Sequence, residues 1–169
     1  MRIALTGPES TGKTTLAVLL AEYLGATCIP EFARSYLLER QGIYDQSDLL
    51  AIAKGQLNLW VQNEKAPRLV SDTEMIVLKI WSEFKYGEVD PFILDALSNQ
   101  RFDHYFLCYP DIAWEEDPLR EHPEQRMELF ALYLKELQER RLPFTVVKGY
   151  NEERIELCRK IIELRITND

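Results

Sequence analysis

Two hydrophobic rhythms alternate along this chain. Short runs rich in β-branched and aromatic residues occur at Arg2–Thr6, Ala26–Ile29, Arg68–Ser71, His104–Cys108 and Phe144–Lys148, and they read as strands. Between them, apolar residues recur at spacings of three and four. This happens over Lys13–Leu24, Gln46–Lys65, Thr73–Phe84, Pro91–Asn99, Pro123–Arg141 and Glu152–Ile166, and it predicts helices with one buried face. In the first of these the stripe is Leu16, Leu19, Leu20, Tyr23 and Leu24, and Gly25 supplies the stop. Strands each followed by helix predict an α/β fold, a parallel sheet covered on both faces and joined by right-handed crossovers. The least regular stretch, Tyr109–Pro123, carries three of the eight prolines and five acids. A loop of that length in a compact domain is usually functional or mobile.

Length and charge narrow the picture. The chain has 169 residues, which suits a single domain spanning 1–169 with its own core. The formal net charge is −8, which argues against general nucleic-acid binding, because such binding runs on Lys and Arg neutralising phosphates. A small phosphorylated ligand remains compatible, since a local nest of N–H groups holds phosphate even on an acidic protein. The apolar runs are far short of a membrane span, and the strand-like start is too short for a signal peptide. A cytoplasmic protein is therefore expected. Cys28, Cys108 and Cys158 are odd in number and widely separated, with no zinc-like spacing to His104 or His122, so they read as free thiols.

One segment carries chemistry. Gly7–Thr14 reads G-P-E-S-T-G-K-T, the phosphate-loop pattern of Gly, four residues, then Gly-Lys-Ser/Thr. It follows a predicted strand and opens a predicted helix, as the motif requires. Gly7 and Gly12 allow left-handed angles, so the backbone of Glu9, Ser10, Thr11 and their neighbours can turn its N–H groups toward an anion. The helix start adds the positive end of its dipole. Lys13 is expected on the β/γ-phosphates of ATP and the Thr14 hydroxyl on Mg²⁺, with Thr15 a second phosphate contact. Glu9 is unusual company for phosphate. It is either solvated or faces a substrate or a metal-bound water.

Further candidates cluster after the strands. Asp72 ends R-L-V-S-D and suits Mg²⁺ or a catalytic role; its ordinary alternative is the N-cap of the helix that follows. Glu31 and Arg34, in P-E-F-A-R-S-Y, follow the second strand. Ligands bind beyond the carboxyl ends of strands in open α/β sheets, so both should converge with Asp72 on the phosphate loop. Glu31 could accept a hydroxyl proton or bind a sugar diol, and Arg34 could hold a phosphate or a carboxylate. The irregular loop offers Trp114, Asp117, Arg120 and, just beyond, Arg126; an arginine over the γ-phosphate would be catalytic. Trp60, Trp81, Tyr86 and Phe92 could stack on a flat ring, or belong to the core.

These segments occur in a telling order. G-P-E-S-T-G-K-T-T, E-F-A-R-S-Y, L-V-S-D-T and D-I-A-W-E-E-D-P-L-R together resemble the nicotinamide-riboside kinase domain of the bifunctional, NadR-type bacterial NAD-biosynthesis proteins and their stand-alone, AAA-like relatives. The resemblance implies ATP- and Mg²⁺-dependent phosphorylation of a ribosyl 5′-hydroxyl, giving nicotinamide mononucleotide. It implies a nucleoside-kinase-like fold, a five-stranded parallel sheet of order 2-3-1-4-5 with a mobile lid at about 109–126. It also places Trp114, Asp117 and Arg120 in that lid, with Trp114 and Asp117 on the substrate side together with Glu31, Arg34 and Asp72. The bifunctional proteins carry an adenylyltransferase domain upstream, whereas this sequence opens at the kinase strand, so the mononucleotide and not NAD is the expected product. Two alternatives stand beside this reading: a kinase for another nucleoside or a vitamin alcohol, and a nucleotide switch acting on a protein partner.

Overall fold

The computed structural model describes residues 1–167. The chain runs β1 (Arg2–Thr6), α1 (Lys13–Leu24), β2 (Thr27–Ile29), α2 (Phe32–Glu39), α3 (Gln46–Gln62) and β3 (Leu69–Asp72). It continues through α4 (Met75–Tyr86), α5 (Pro91–Asn99), β4 (His104–Cys108), α6 (Arg126–Glu139), β5 (Phe144–Val147) and α7 (Asn151–Ile166). The five strands form one parallel sheet of order β2-β3-β1-β4-β5, as the resemblance implied.

Two apolar clusters cover the sheet. On one face α1 and α7 bury Leu16, Leu20, Cys158 and Ile162 against Leu5, Val70 and Phe106. On the other, α2 to α6 bury a larger cluster that includes Leu37, Ile52, Trp60, Ile76 and Tyr133. Alternate residues of a strand face opposite ways, so β1 gives Ala4 to one cluster and Ile3 and Leu5 to the other. Trp60 belongs to the core, its indole N–H donating to the Ser71 hydroxyl at 2.8 Å. Tyr86 and Phe92 pack against the same cluster. All three cysteines are free, with Cys108 and Cys158 buried.

Most predicted elements coincide with the observed ones; the differences trace to particular contacts. The helix expected from Thr73 begins at Met75, because the Glu74 carboxylate accepts the Ile76 N–H at 2.7 Å and takes the cap position. Asp72 therefore ends a strand and does not cap the helix, which corrects the ordinary alternative for that residue. The helix expected from Pro123 begins at Arg126, whose guanidinium donates to the carbonyls of Ser10 (3.1 Å) and Ile112 (2.9 Å). The unexpected helix α2 has only eight residues and no side-chain cap bond; the Phe32 N–H donates instead to Gln56 Oε1 at 2.9 Å. Its stability comes from α3 and not from its own sequence.

Order β3-β1-β4 makes β1 central: the crossover after β1 runs to β2 on one side, and the crossover after β3 runs to β4 on the other. Loops after such a strand open a crevice, the usual ligand position in open α/β sheets. Gly7 turns the chain out of β1 with φ 126°, and a Cβ there would lie 2.8 Å from the Cys108 carbonyl oxygen. Gly7→Ala is therefore expected to cost about 1–3 kcal/mol, from backbone strain and the clash with β4. A lower urea midpoint at unchanged slope would report it.

Candidate active site

The loop after β1 is shaped by its backbone angles. Gly7, Ser10 and Gly12 have φ of 126°, 53° and 73°. Gly12 stands at the N-cap of α1, and no side chain caps that helix. The first amides of a helix have no partner within it. Here they face the cavity that Gly12, Lys13, Thr14 and Thr15 line, where an anion would satisfy them. The Lys13 ammonium donates to the Pro8 carbonyl at 2.7 Å, bending back over the loop it serves.

The cavity has a volume of about 470 Å³ and runs from this loop to a wall built by α4 and α6. Its polar end gathers Glu9, Lys13, Glu31, Arg34 and Arg120. Its far end is apolar and aromatic: Val77, Ile80, Trp81 and Phe84 share one face of α4, and Leu129 and Tyr133 share one face of α6. Of the four aromatic residues offered as stacking faces, Trp81 alone lines this space. Its indole donates to the Tyr44 hydroxyl at 2.9 Å.

Glu31 occupies the N-cap position of α2, yet its side chain makes no capping bond. It lines the polar end of the cavity. Burial pushes its pKa up to about 7, with Asp72 and Glu9 adding to the rise and Lys13 and Arg34 opposing it. Such a carboxylate is poised to accept a proton near neutral pH.

Asp72 lies deeper, 3% exposed and behind the cavity wall. Burial raises its pKa, opposed by the Thr14 hydroxyl, Lys13 and Arg34. Its Oδ1 is buried with no hydrogen-bond partner. A buried, unpartnered carboxylate oxygen beside a threonine hydroxyl fits a hard divalent cation. Among the described residues no three His, Cys, Asp or Glu side chains gather as a metal site. An ion at Thr14 and Asp72 would therefore complete its shell with phosphate and water oxygens. The next residue, Thr73, has φ 108°, an outlier for a β-branched residue, and its Oγ1 is buried without a partner. The chain is strained where it presents Asp72, as strained residues cluster at working sites.

The loop from Tyr109 to Gln125 crosses the phosphate loop. Glu9 accepts the N–H groups of Glu121 (3.0 Å) and His122 (2.6 Å). The Ser10 hydroxyl accepts the Glu115 N–H (3.0 Å) and Arg120 Nη1 (3.2 Å). Asp117 pairs with Arg34 at 2.8 Å, which holds its carboxyl below the usual range. Trp114 and Asp117 are not among the residues that line the cavity; the guanidinium groups of Arg120 and Arg126 lie 6.0 and 5.7 Å from the Trp114 ring centre.

Four participants were missed in the sequence. Arg154 of α7 is 4% exposed and lines the cavity. It donates to the carbonyls of Thr11, Tyr109 and Gly149 and pairs with Asp111. Tyr44 and Tyr133 line the cavity, and fully buried Glu74 ties α4 to β1 through the Thr6 hydroxyl at 2.8 Å. Arg154, Tyr44 and Glu74 each have at least one partner far along the chain: Thr11, Glu121 and Thr6. Only the strand-end position of Glu74, two residues after Asp72, was a usable signal.

Residues 2–154 match the family described as an AAA domain. The chain belongs to that family. Within it, the chain is a relative of NadR-type proteins. It is 27% identical over 154 residues to the trifunctional NAD biosynthesis/regulator protein NadR of Escherichia coli, covering 86% of this chain and 38% of that protein. The chain thus spans well under half the length of this curated relative. A crystal structure of a NadR protein in complex with NR superposes with a TM-score of 0.83 at 21% identity, covering 96% of this chain and 50% of that one. Deoxyadenosine kinase from M. mycoides superposes with a TM-score of 0.74 at 17% identity, over 96% and 99% of the two chains. These likenesses establish the AAA-domain chain as one with the fold of P-loop nucleoside kinases. Among the described residues no helix is long and apolar enough to cross a membrane.

The raised acids give a pH signature. Glu31 and Glu74 both move from 4.5 to about 7 in the folded state. An acid with a raised folded pKa contributes stability that is fully present below its unfolded pKa and lost as pH rises through the folded value. The depressed carboxylates, such as Asp117, titrate below that window. The urea midpoint is therefore expected to fall as pH climbs from about 5 to about 8. Glu74→Gln should flatten the decline; an unchanged slope would mean that Glu74 ionises normally.

Proposed function

We propose that this chain is a single kinase domain that transfers the γ-phosphoryl group of ATP to the ribosyl 5′-hydroxyl of nicotinamide riboside, releasing ADP and nicotinamide mononucleotide. One observation carries the reading. A single cavity joins an uncapped helix N-terminus, which suits phosphates, to an aromatic wall with Trp81, which suits a flat ring, and Glu31 is one of the residues that line it. The resemblance of the sequence segments to the NadR-type kinase domain supports the acceptor.

The loop amides and Lys13 bind and orient the triphosphate. Thr14 and Asp72 would hold Mg²⁺, which when bound offsets the phosphate charge. Glu31 orients the acceptor hydroxyl and takes its proton as the oxygen forms its bond to phosphorus and the bond to the bridging oxygen of ADP breaks. Glu31 suits this role better than Asp72 because it lines the cavity and Asp72 does not. Arg34 and Arg120 supply positive charge at the transferring group, and the 109–126 lid excludes water from it. Most of the rate then comes from positioning and electrostatics.

The decisive assay follows ATP consumption across a panel of nucleosides and vitamin alcohols, with mass spectrometry of the acceptor. Rapid turnover only with nicotinamide riboside, and a product heavier by one phosphoryl group, is expected. Turnover with a different alcohol moves the acceptor assignment. Slow hydrolysis that no acceptor accelerates favours a nucleotide switch. Lys13→Ala should lower kcat by about 10²-fold or more while the fold persists, as for loss of one oriented charge at the transition state. Glu31→Gln should abolish the rise of kcat with pH through about 7.

A further inference from the structure

A carboxylate inside a phosphate-binding loop is unfavourable company for a triphosphate, because like charges repel. Glu9 is such a group, and its carboxylate is bonded to backbone amides outside the loop. Its two oxygens accept the Glu121 N–H at 3.0 and 3.1 Å, and one of them also takes the His122 N–H at 2.6 Å. Hydrogen bonds to an ionised acceptor are short and strong relative to neutral ones. Arg120 immediately precedes this pair of amides, and its guanidinium reaches the hydroxyl of Ser10, the residue after Glu9. Glu121 is gripped from the opposite side as well. Its carboxylate accepts from the Tyr44 hydroxyl at 2.7 Å and from the Lys85 ammonium at 2.8 Å. Lys85 in turn lies over the Tyr44 ring, 3.9 Å from its centre.

Segment 120–122 is therefore clamped between the phosphate loop and the aromatic wall. We propose that Glu9 is a positioning residue: it clasps the lid backbone at Glu121 and His122 and so sets the Arg120 guanidinium over the phosphoryl group in transit. This inference rests on the kinase reading above. It explains why an acid is tolerated in the loop, since its charge is spent on two lid amides. It also joins the two halves of the site: nucleotide contacts reach the lid through Glu9 and Ser10, and the acceptor wall reaches the same lid residue through Tyr44 and Lys85.

A double-mutant cycle tests the link, because residues acting through one another lose rate non-additively. Glu9→Ala is expected to lower kcat at least about tenfold, with the KM for ATP changed less than about twofold, as for loss of an interaction made in the transition state. In an Arg120→Ala background the same substitution should cost less than about twofold, since the group it positions is gone. Glu9→Gln, which keeps the shape and one acceptor oxygen, should fall between wild type and Glu9→Ala and guards against a folding defect. A second readout does not need catalysis. In nucleotide-free protein, trypsin should cut after Arg120 or Arg126 faster in Glu9→Ala than in wild type, with circular-dichroism melts alike.

Full loss of rate on top of Arg120→Ala would overturn the proposal and make Glu9 a direct ligand of substrate or metal water. A rise in the KM for ATP matching the fall in kcat would do the same. Equal tryptic rates in wild type and Glu9→Ala would overturn the clasp. If wild type transfers phosphoryl to no acceptor, the kinase reading falls, and the tryptic comparison still decides whether Glu9 holds the lid.

Discussion

The first turn of α1 begins with amides that no side chain among the described residues caps. Every other feature of the site is arranged around that deficit. Gly12 in the left-handed region starts the helix without a capping side chain, so the dipole end stays open toward the cavity. Gly7 lets the loop leave β1 against the β4 backbone, where a Cβ would meet the Cys108 carbonyl. Parallel pairing of β1 with both β3 and β4 then sets what surrounds the opening. Leu5 lies level with Asp72 on one side and with Phe106 on the other, so the β3 acid reaches the loop by register alone. An anion-binding helix start at the centre of a sheet of this order accounts for the position of the cavity.

The charges around that opening are opposed and close to balance. Glu31 and Glu9 line the same cavity as Lys13, Arg34 and Arg120, and buried Asp72 acts on Glu31 from nearby. Burial, more than any excess of acids, pushes Glu31 up to about 7, with Asp72 and Glu9 adding to the rise. Each acid has a distinct means of relief. Asp72 has the Thr14 hydroxyl and the lysine, Glu9 has two backbone amides, and Glu31 has only the distant field of Lys13 and Arg34. Burial raises the proton affinity of both Glu31 and Asp72, and of the two only Glu31 lines the cavity.

Much of the fold was legible because its signals are local. Strands Arg2–Thr6 and His104–Cys108 and helices Lys13–Leu24 and Pro91–Asn99 appear with the bounds their periodicity predicts. The phosphate loop was legible because Gly7 and Gly12 carry backbone angles that few other residues adopt. What escaped depends on contacts made across the sheet. α2 is too short to announce itself and leans on Gln56 of α3. Arg154 reads as one more charge on a polar helix, yet it is buried against four partners from three segments. Tyr133 reads as a core aromatic until α6 turns it toward the cavity. Glu74 reads as a first-turn acid, and only the pairing of β1 with β3 brings it to Thr6.

Glu74 also shows how the two ends of the cavity keep their distance from each other. The residue is fully buried, and its carboxylate accepts from the Thr6 hydroxyl, the Gln100 amide and the Ile76 N–H. A buried carboxylate without partners would cost far more than these bonds return, so its retention needs a geometric reason. Thr6 is the last residue of the strand that delivers the phosphate loop. Ile76 lies in the first turn of the helix that carries Val77, Ile80, Trp81 and Phe84 into the cavity. One carboxylate thus fixes the start of the acceptor wall relative to the start of the phosphate loop, through bonds with preferred directions that apolar packing lacks. Phosphoryl transfer tolerates little error in the separation of donor and acceptor atoms. In the phosphoryl transfer proposed above, a polar strut at this point would set that separation, and α4 beyond it carries Trp81 to the cavity.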